Sequence, residues 1–299
     1  MAEIKVWISA FRLRTLPLAL ACIGMGGFLA ASEHAFRWDI FLLCAFTTVF
    51  LQILSNLAND YGDSIHGADH AGRKGPSRAV QSGAIAPERM RAALIVFVVL
   101  CLGSGLWLLG ISLGFNREAF LYFLALGVLS ILAAVAYTVG KRPYGYIGLG
   151  DLFVLLFFGL VGVLGSTYLF TQEILPLQVL PAISCGFFSM GVLNINNIRD
   201  IESDRKAGKY SIPVRIGREN AVIYHWFLTL GGLASAIVYT VLTYKSPWQL
   251  LFLFSVPLFL RIGVAVQQKP TWELDPYLKR MAITTLLFVV LFGMGLIIG

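Results

Sequence analysis

Charged residues are scarce in this sequence. Only 13% of the 299 residues are Asp, Glu, Lys or Arg, whereas a soluble domain carries about 25%. Hydrophobic residues make up 58% of the chain, and the mean hydropathy is +0.78. This balance excludes an ordinary soluble domain and predicts a polytopic membrane protein.

Cysteine is scarce as well. The four cysteines, Cys22, Cys44, Cys101 and Cys185, all lie inside apolar runs. Such isolated thiols pack as small apolar side chains. Their positions therefore exclude a disulfide framework or a thiolate metal site.

Long apolar runs take up most of the chain. Runs of about 17–25 residues are long enough to cross a bilayer as helices. The sequence has nine such runs, at 16–31, 40–57, 92–113, 119–139, 152–170, 175–193, 221–243, 250–266 and 281–298. The predicted fold is all-α, with nine transmembrane helices in one membrane domain that spans residues 1–299.

Positive charge is nearly missing from one set of loops. Of the 23 Lys and Arg residues, the loops after the odd-numbered runs hold only Arg37, Arg117 and Lys245, and Arg261 lies inside the eighth run. The positive-inside rule then places the N-terminus in the cytoplasm and the C-terminus outside. This bias accounts for the net charge of +7, so we expect membrane lipids but no nucleic acid as partners.

Acidic and carboxamide side chains close the second apolar run. If the helix continues through residue 63, Asn56, Asn59, Asp60 and Asp63 share one face. Acids at the mouth of a membrane helix are costly unless they are paired or bound to cations. Oxygen donors suit Mg²⁺, which is usually completed by phosphate oxygens. Capping and turn residues at a solvated loop remain the alternative.

A second cluster closes the sixth apolar run. Asn196, Asp200 and Asp204 are spaced by four and so share a helical face. The recurrence favours a shared site and two pseudo-repeated halves, with motifs at 56–69 and 196–209. We predict two Mg²⁺ ions, with ligands drawn from Asn56, Asp60, Asp63, Asn196, Asp200 and Asp204.

Cations surround both clusters. Those predicted to bind a diphosphate are Arg73, Lys74, Arg78, Lys141 and Lys209. The positive-inside bias also accounts for cations in these loops. Tyr137 and Lys141 are four apart, so on a continued helix they would point at the same space. The ligand that these features imply has an anionic head bridged by metal and a long apolar body, as in an isoprenyl diphosphate.

Three motifs carry a family resemblance: Asn56-x3-Asp60-x2-Asp63, Asn196-x3-Asp200-x3-Asp204 and Tyr137-x3-Lys141. Together they resemble the UbiA-type superfamily of intramembrane aromatic prenyltransferases. The resemblance implies nine transmembrane helices around a central cavity, capped by cytoplasmic loops. The first motif departs from the family pattern, because position 64 is Ser and the acids are Asp63 and the later Asp69.

Within the superfamily, segments 56–63, 137–146 and 196–209 resemble one branch. That branch transfers a polyprenyl group from its diphosphate to 1,4-dihydroxy-2-naphthoate with loss of CO₂, giving demethylmenaquinone in menaquinone biosynthesis. For the acceptor carboxylate we expect a cation from among Arg12, Arg14 and Arg142. Residues expected to act in catalysis or to line the substrate cavity are Asn59, Asp69, Tyr137, Tyr144, Asp151 and Asn197.

Two other functions stay open at this point. A sister enzyme would use 4-hydroxybenzoate, haem or a chlorophyll precursor as its acceptor. A secondary transporter also places charged residues near broken helices, but usually at the membrane midplane. Here the acids lie at one membrane face, which counts against a transporter.

Overall fold

A computed structural model describes residues 2–66, 78–114 and 116–299, and the regular structure in these ranges is helical throughout. Nine helices there are long and apolar enough to cross a membrane, which confirms the predicted fold class. They are α1 (Glu3–Ser32), α2 (Trp38–Ile65), α3 (Pro87–Leu113), α4 (Arg117–Ala136), α5 (Gly150–Thr171), α6 (Pro176–Arg199), α7 (Ile212–Leu242), α8 (Pro247–Gln268) and α9 (Asp275–Ile298). The relation between two halves of the chain stays a prediction.

Several helices run past the ends of the apolar runs. α2 continues to Ile65, so Asn56, Asn59, Asp60 and Asp63 all lie on a regular helix. α7 begins at Ile212 and is broken at Gly217, whose φ of 78° is available to glycine. Residues 212–220, which precede the seventh apolar run, are therefore helical apart from the break at Gly217. The polar residues there still form helix because the helix satisfies their backbone groups internally.

α1 is interrupted near its start. Residues Ala2–Phe11 form one helix and Leu16–Ser32 another, and Arg12 between them adopts a left-handed conformation with φ of 49°. The Asn56 side chain donates to the Phe11 carbonyl at 2.9 Å and to the Thr15 hydroxyl at 3.1 Å. A first-motif residue on α2 thus holds the break in α1.

α6 lies at the centre of the bundle and α3 and α4 at its edge. Within α6, 61% of the most apolar window is buried, against 22% and 17% in α3 and α4. The Phe188 ring of α6 stacks on Phe259 with centroids 4.3 Å apart and meets Phe288 edge-on at 5.0 Å. A Cβ on Gly232 would lie 2.6 Å from the Phe188 ring, so glycine permits the close approach of α7. Small residues and tight packing of this kind hold membrane helices together.

Part of α5 departs from regular α-helical geometry. Residues Leu155–Gly165 form a π-helical stretch within α5. Phe157, Val161 and Gly162 of this stretch line the large cavity described below. π-helical segments occur frequently at functional sites.

The loop charges predict which loops face the cytoplasm. The exposed Ser82 precedes α3, and the exposed Glu173 follows α5. In a background with the four buried cysteines replaced by alanine, we expect Glu173→Cys to react with a membrane-impermeant maleimide on intact spheroplasts. Ser82→Cys should react only after permeabilisation. Reaction of both cysteines in intact cells, or the reverse pattern, would contradict the predicted orientation.

Candidate active site

A cavity of about 420 Å³ opens between α1 and α6. Its walls are mostly apolar side chains of α2, α3, α4 and α5. Polar side chains collect at the end where both motifs lie. Among the residues discussed above, the lining includes Arg12, Asn56, Asn59, Asp63, Arg78, Tyr137, Tyr144, Asn196 and Lys209. The cavity therefore has a charged mouth and an apolar body.

The two acids of the first motif have different partners. Asp63 lines the cavity; its carboxylate accepts a hydrogen bond from the Tyr146 hydroxyl at 2.9 Å, and Arg78 Nη2 lies 3.9 Å from it. Asp60 instead accepts hydrogen bonds from the backbone N–H groups of Ala79 and Val80, at 3.0 and 3.1 Å. Asp60 thus anchors the segment that carries Arg78.

The second motif spans a break between two helices. α6 ends at Arg199, and a short helix, Ile201–Lys206, follows. The amide of Asp200 still bonds to the Asn196 carbonyl at 3.1 Å, and the amide of Asp204 to the Asp200 carbonyl at 2.8 Å. These bonds keep the helical spacing, as the sequence predicted. The Asp200 carboxylate receives two hydrogen bonds from Arg199, at 2.8 and 2.7 Å.

Lys209 interacts with acids of both motifs. Its ammonium lies 3.8 Å from the Asp204 carboxylate and about 6 Å from the ring centroids of Tyr137 and Tyr146. Burial by itself would lower the pKa of Lys209, but the nearby carboxylates of Asp204 and Asp63 raise that pKa well above its ordinary value of 10.5. Lys209 therefore stays charged at neutral pH and faces acids from both motifs.

Close backbone contacts bring the loops together at this point. A Cβ on Gly62 would lie 2.6 Å from the Thr138 carbonyl, so only glycine fits there without a shift. The Thr138 hydroxyl donates to the Ala58 carbonyl at 2.9 Å. The amide of Tyr210 donates to the Tyr146 carbonyl at 2.9 Å. The segment after α4 is thus tied both to α2 and to the chain around Lys209.

Aromatic side chains form one wall of the cavity mouth. The rings of Tyr137 and Tyr144 meet edge-on at 5.3 Å, and Tyr144 stacks on Phe153 at 4.0 Å. Burial raises the pKa of Tyr137 to about 12. Tyr137 is therefore a neutral phenol at neutral pH, so it presents an aromatic ring and no negative charge to the cavity.

One geometric expectation about Lys141 is wrong. α4 ends at Ala136, and Gly140 has a φ of 121°, which turns the chain away from a helical path. Tyr137 and Lys141 therefore do not share a helical face. Lys141 and Arg142 are exposed and do not line the cavity. The role of Lys141 in diphosphate binding stays a prediction.

The other predicted residues lie near the site or outside the described residues. Asn59 accepts a hydrogen bond from the Thr138 hydroxyl at 3.3 Å. Asp151 is buried beside the cavity and accepts one from the Tyr224 hydroxyl at 3.1 Å. Asn197 is buried, and its side-chain oxygen has no hydrogen-bond partner among the described residues. The remaining three, Asp69, Arg73 and Lys74, lie outside the described residues.

The family model for the UbiA prenyltransferase family matches residues 19–274. This chain belongs to that family. It is 43% identical over 300 residues to the 1,4-dihydroxy-2-naphthoate octaprenyltransferase of Escherichia coli K12, and the match covers 100% of this chain and 97% of that protein.

Solved structures of UbiA homologues share the fold. The apo homologue from Aeropyrum pernix K1 is 18% identical, with a TM-score of 0.67 over 96% of this chain and 98% of that chain. The homologue from Archaeoglobus fulgidus bound to GPP and Mg²⁺ is 16% identical, with a TM-score of 0.64 over 97% of this chain and 100% of that one. These similarities support the helical architecture of the UbiA family for this chain.

The donor atoms of the site suit a hard cation such as Mg²⁺. Carboxylate and carboxamide oxygens are what Mg²⁺ prefers in proteins, and Asn59, Asp63 and Asn196 bring such side chains to the cavity lining. Within the described ranges, no three His, Cys, Asp or Glu side chains are grouped closely enough to hold a metal by themselves. The cations Arg78, Arg199 and Lys209 instead lie against Asp63, Asp200 and Asp204.

Two residues of the site were missed by sequence reasoning. Tyr146 was not among the predicted site residues, yet it is buried and bonds to Asp63. Arg199 was not among them either, yet its side chain is 1% exposed and bonds to Asp200. In each case the one feature of the sequence that pointed to the residue was its place in a segment, 137–146 or 196–209, that carries a family motif.

The position of Lys209 between acids of both motifs predicts a specific loss of stability. Lys209→Met removes the ammonium that lies 3.8 Å from the buried Asp204 carboxylate and whose charge also interacts with Asp63. We expect the free energy of unfolding to fall by about 3 kcal/mol, as when one partner of a buried ion pair is removed. The measurement is thermal melting of the purified protein in detergent. Added Mg²⁺ should recover part of the loss, because the metal replaces the missing positive charge.

The matched control is Lys206→Met, which removes an exposed cation three residues away. It should leave the melting temperature nearly unchanged, since exposed charges contribute little. Equal melting temperatures for the two variants would contradict the assigned role of Lys209.

Proposed function

We propose that this protein transfers a polyprenyl group from polyprenyl diphosphate to 1,4-dihydroxy-2-naphthoate, with loss of CO₂, in menaquinone biosynthesis. One observation carries the proposal. An apolar cavity ends in a charged mouth lined by Asp63 and Lys209, with Asp204 3.8 Å from Lys209, in a chain 43% identical to an enzyme with that name. The protein is a multi-pass membrane prenyltransferase, and we propose that the charged mouth faces the cytoplasm.

The charged mouth suits the diphosphate of the donor. Arg78 and Lys209 line the cavity there and supply positive charge to the leaving group. Oxygens of both motifs would hold Mg²⁺, two ions in this proposal, and the metal would stabilise the charge that develops on the departing diphosphate. A solved homologue from Archaeoglobus fulgidus is bound to GPP and Mg²⁺, which supports metal-assisted binding of a prenyl diphosphate.

The apolar body of the cavity suits the prenyl chain and its reactive state. When the C1–O bond breaks, its electron pair leaves with the diphosphate and an allylic cation remains. Water would capture that cation, so the reaction needs a site that excludes water. The neutral rings of Tyr137 and Tyr144 line the cavity near the charged mouth, where aromatic faces attract a cation.

The acceptor supplies the electron pair for the new bond and regains one when CO₂ leaves. The ring carbon that bears the carboxylate forms a bond to C1 of the prenyl group, assisted by the adjacent hydroxyl. The bond to the carboxylate next breaks, its electron pair returns to the ring, and CO₂ leaves. The products are diphosphate, CO₂ and the hydroquinone form of demethylmenaquinone.

Arg12 is the cation that the structure offers for the acceptor carboxylate. It lines the cavity from α1, whereas Arg142 is exposed and Arg14 bonds to Asp275. Its left-handed backbone conformation is fixed by Asn56 through the hydrogen bonds on either side of the break. Strained backbone of this kind concentrates at functional sites.

Isotope release tests the reaction. Membranes containing the protein are incubated with a polyprenyl diphosphate, Mg²⁺ and carboxyl-labelled 1,4-dihydroxy-2-naphthoate. We expect labelled CO₂ in step with the prenylated naphthohydroquinone. Product that keeps the label, or turnover only with 4-hydroxybenzoate, would move the protein to the sister branch, and no turnover with any acceptor would contradict a prenyltransferase.

The role of Arg12 has its own test. We expect Arg12→Gln to raise the KM for the naphthoate by about 10- to 100-fold, the worth of a hydrogen bond to a charged group. The KM for the donor should stay nearly constant. The matched control is Arg142→Gln, which should change neither constant. If Arg142→Gln alone raises the acceptor KM, Arg142 holds the carboxylate instead.

A further inference from the structure

Asp275 lies outside both motifs, at the first residue of α9. Its carboxylate receives hydrogen bonds from two arginines on two other helices. Arg14 of α1 donates to Oδ2 at 2.8 Å, and Arg199 at the end of α6 donates to Oδ1. Asp275 and Arg14 are each 32% exposed, whereas the Arg199 side chain is 1% exposed.

Arg199 connects Asp275 to the second motif. Its Nε and Nη2 atoms bond to the two carboxylate oxygens of Asp200, at 2.8 and 2.7 Å. Nη2 also bonds to the side-chain oxygen of Asn196 at 2.8 Å, and Nη1 bonds to Asp275. One buried guanidinium therefore touches two predicted metal ligands and one carboxylate that belongs to neither motif.

The geometry of arginine makes this connection rigid. The guanidinium is planar and its donors are fixed in a fork, so binding Asp275 on one edge sets where the other edge points. A bidentate pair of this kind fixes direction as well as charge. Without Asp275, only the motif itself would orient Arg199.

Asp275 also changes how much charge remains on Asp200. Arg199 paired with Asp200 alone would neutralise it, and a neutralised carboxylate is a poor ligand for Mg²⁺. With Asp275 on the same guanidinium, Arg199 is shared between two carboxylates. Arg14 pairs with Asp275 from the more exposed side. The two arginines and the two aspartates of this network therefore sum to zero charge.

From these contacts we propose that Asp275 is a positioning residue for the metal–diphosphate site. It holds Arg199, and through Arg199 it sets the orientation and the available charge of the Asp200 and Asn196 oxygens. The inference rests on the proposed function, because it assigns a role in binding the metal–diphosphate head of the donor. Partners that orient metal ligands typically change metal affinity about 10- to 100-fold when they are removed.

The first test is Asp275→Asn, which keeps the shape of the side chain and removes its charge. We expect the Kd for Mg²⁺ in the presence of inorganic pyrophosphate to rise about tenfold, measured by titration calorimetry on the full chain in nanodiscs. In turnover assays the Mg²⁺ dependence and the donor KM should shift in the same direction, while the acceptor KM stays constant. Asp275→Glu, which restores the charge, should recover most of the affinity.

The matched control is Glu273→Gln, two residues earlier, in the connection between α8 and α9. Glu273 pairs with Lys269 at 2.6 Å, and both side chains are well exposed. This variant should bind Mg²⁺ and pyrophosphate as the unaltered protein does. An Asp275→Asn protein that binds them equally well would overturn the proposal.

A double variant separates positioning from a merely structural role. Arg199→Lys keeps the charge but loses the fork, and it should weaken Mg²⁺ binding by itself. If Asp275 acts through Arg199, adding Asp275→Asn to Arg199→Lys should cause little further loss, since residues in one network are not additive. Losses that multiply would overturn the proposal, as would a lower melting temperature with unchanged Mg²⁺ affinity.

The binding readout also keeps this inference distinct from the proposed reaction. Mg²⁺ and pyrophosphate binding needs no naphthoate, so a wrong acceptor would leave the expected Asp275→Asn effect intact. Absence of Mg²⁺–pyrophosphate binding in the unaltered protein would overturn the positioning role and the donor site together.

Discussion

Four buried carboxylates at one end of a membrane bundle are the constraint on which the rest of the structure depends. Asp60, Asp63, Asp200 and Asp204 are each at most 5% exposed. A buried charge is costly unless it is paired and hydrogen-bonded. Each acid has different partners: Asp60 bonds to backbone N–H groups, Asp63 lies against Tyr146 and Arg78, Asp200 bonds to Arg199, and Asp204 lies 3.8 Å from Lys209. The segments between the helices position most of these partners.

That requirement accounts for local features that look unrelated along the chain. Gly62 lets the segment after α4 approach α2 closely enough for Tyr146 to reach Asp63. The backbone bond from Tyr210 to Tyr146 holds the segment after α6 beside it, which brings Lys209 to both motifs. The break in α1 is held by Asn56 and directs Arg12 to the cavity. A close glycine contact, a backbone hydrogen bond and the side-chain bonds of Asn56 thus bring charged side chains to one site.

The fold and the acids were predictable from the sequence, whereas their partners were not. Nine apolar runs give nine helices because a bilayer fixes the length of a spanning segment, and spacing by four places Asn196, Asp200 and Asp204 together because the backbone keeps helical hydrogen bonds through the break. No such periodicity links Arg199 to Asp275, or Tyr146 to Asp63, since those contacts join distant segments. Lys141 shows the opposite error: its spacing from Tyr137 matters only while the helix continues, and α4 ends first.

The pairing of acids with cations also bears on how the proposed substrates enter. Mg²⁺ alone would approach a mouth that already contains Arg78 and Lys209, and like charges repel. A diphosphate alone would meet the carboxylate of Asp63, which lines the cavity. If both enter together, the diphosphate would pair with Arg78 and Lys209 and the acids would hold the metal, so each charge would keep a partner. A site balanced in this way favours the metal–diphosphate pair over either component. The apolar cavity behind it then selects, among such pairs, those that carry a long hydrocarbon chain.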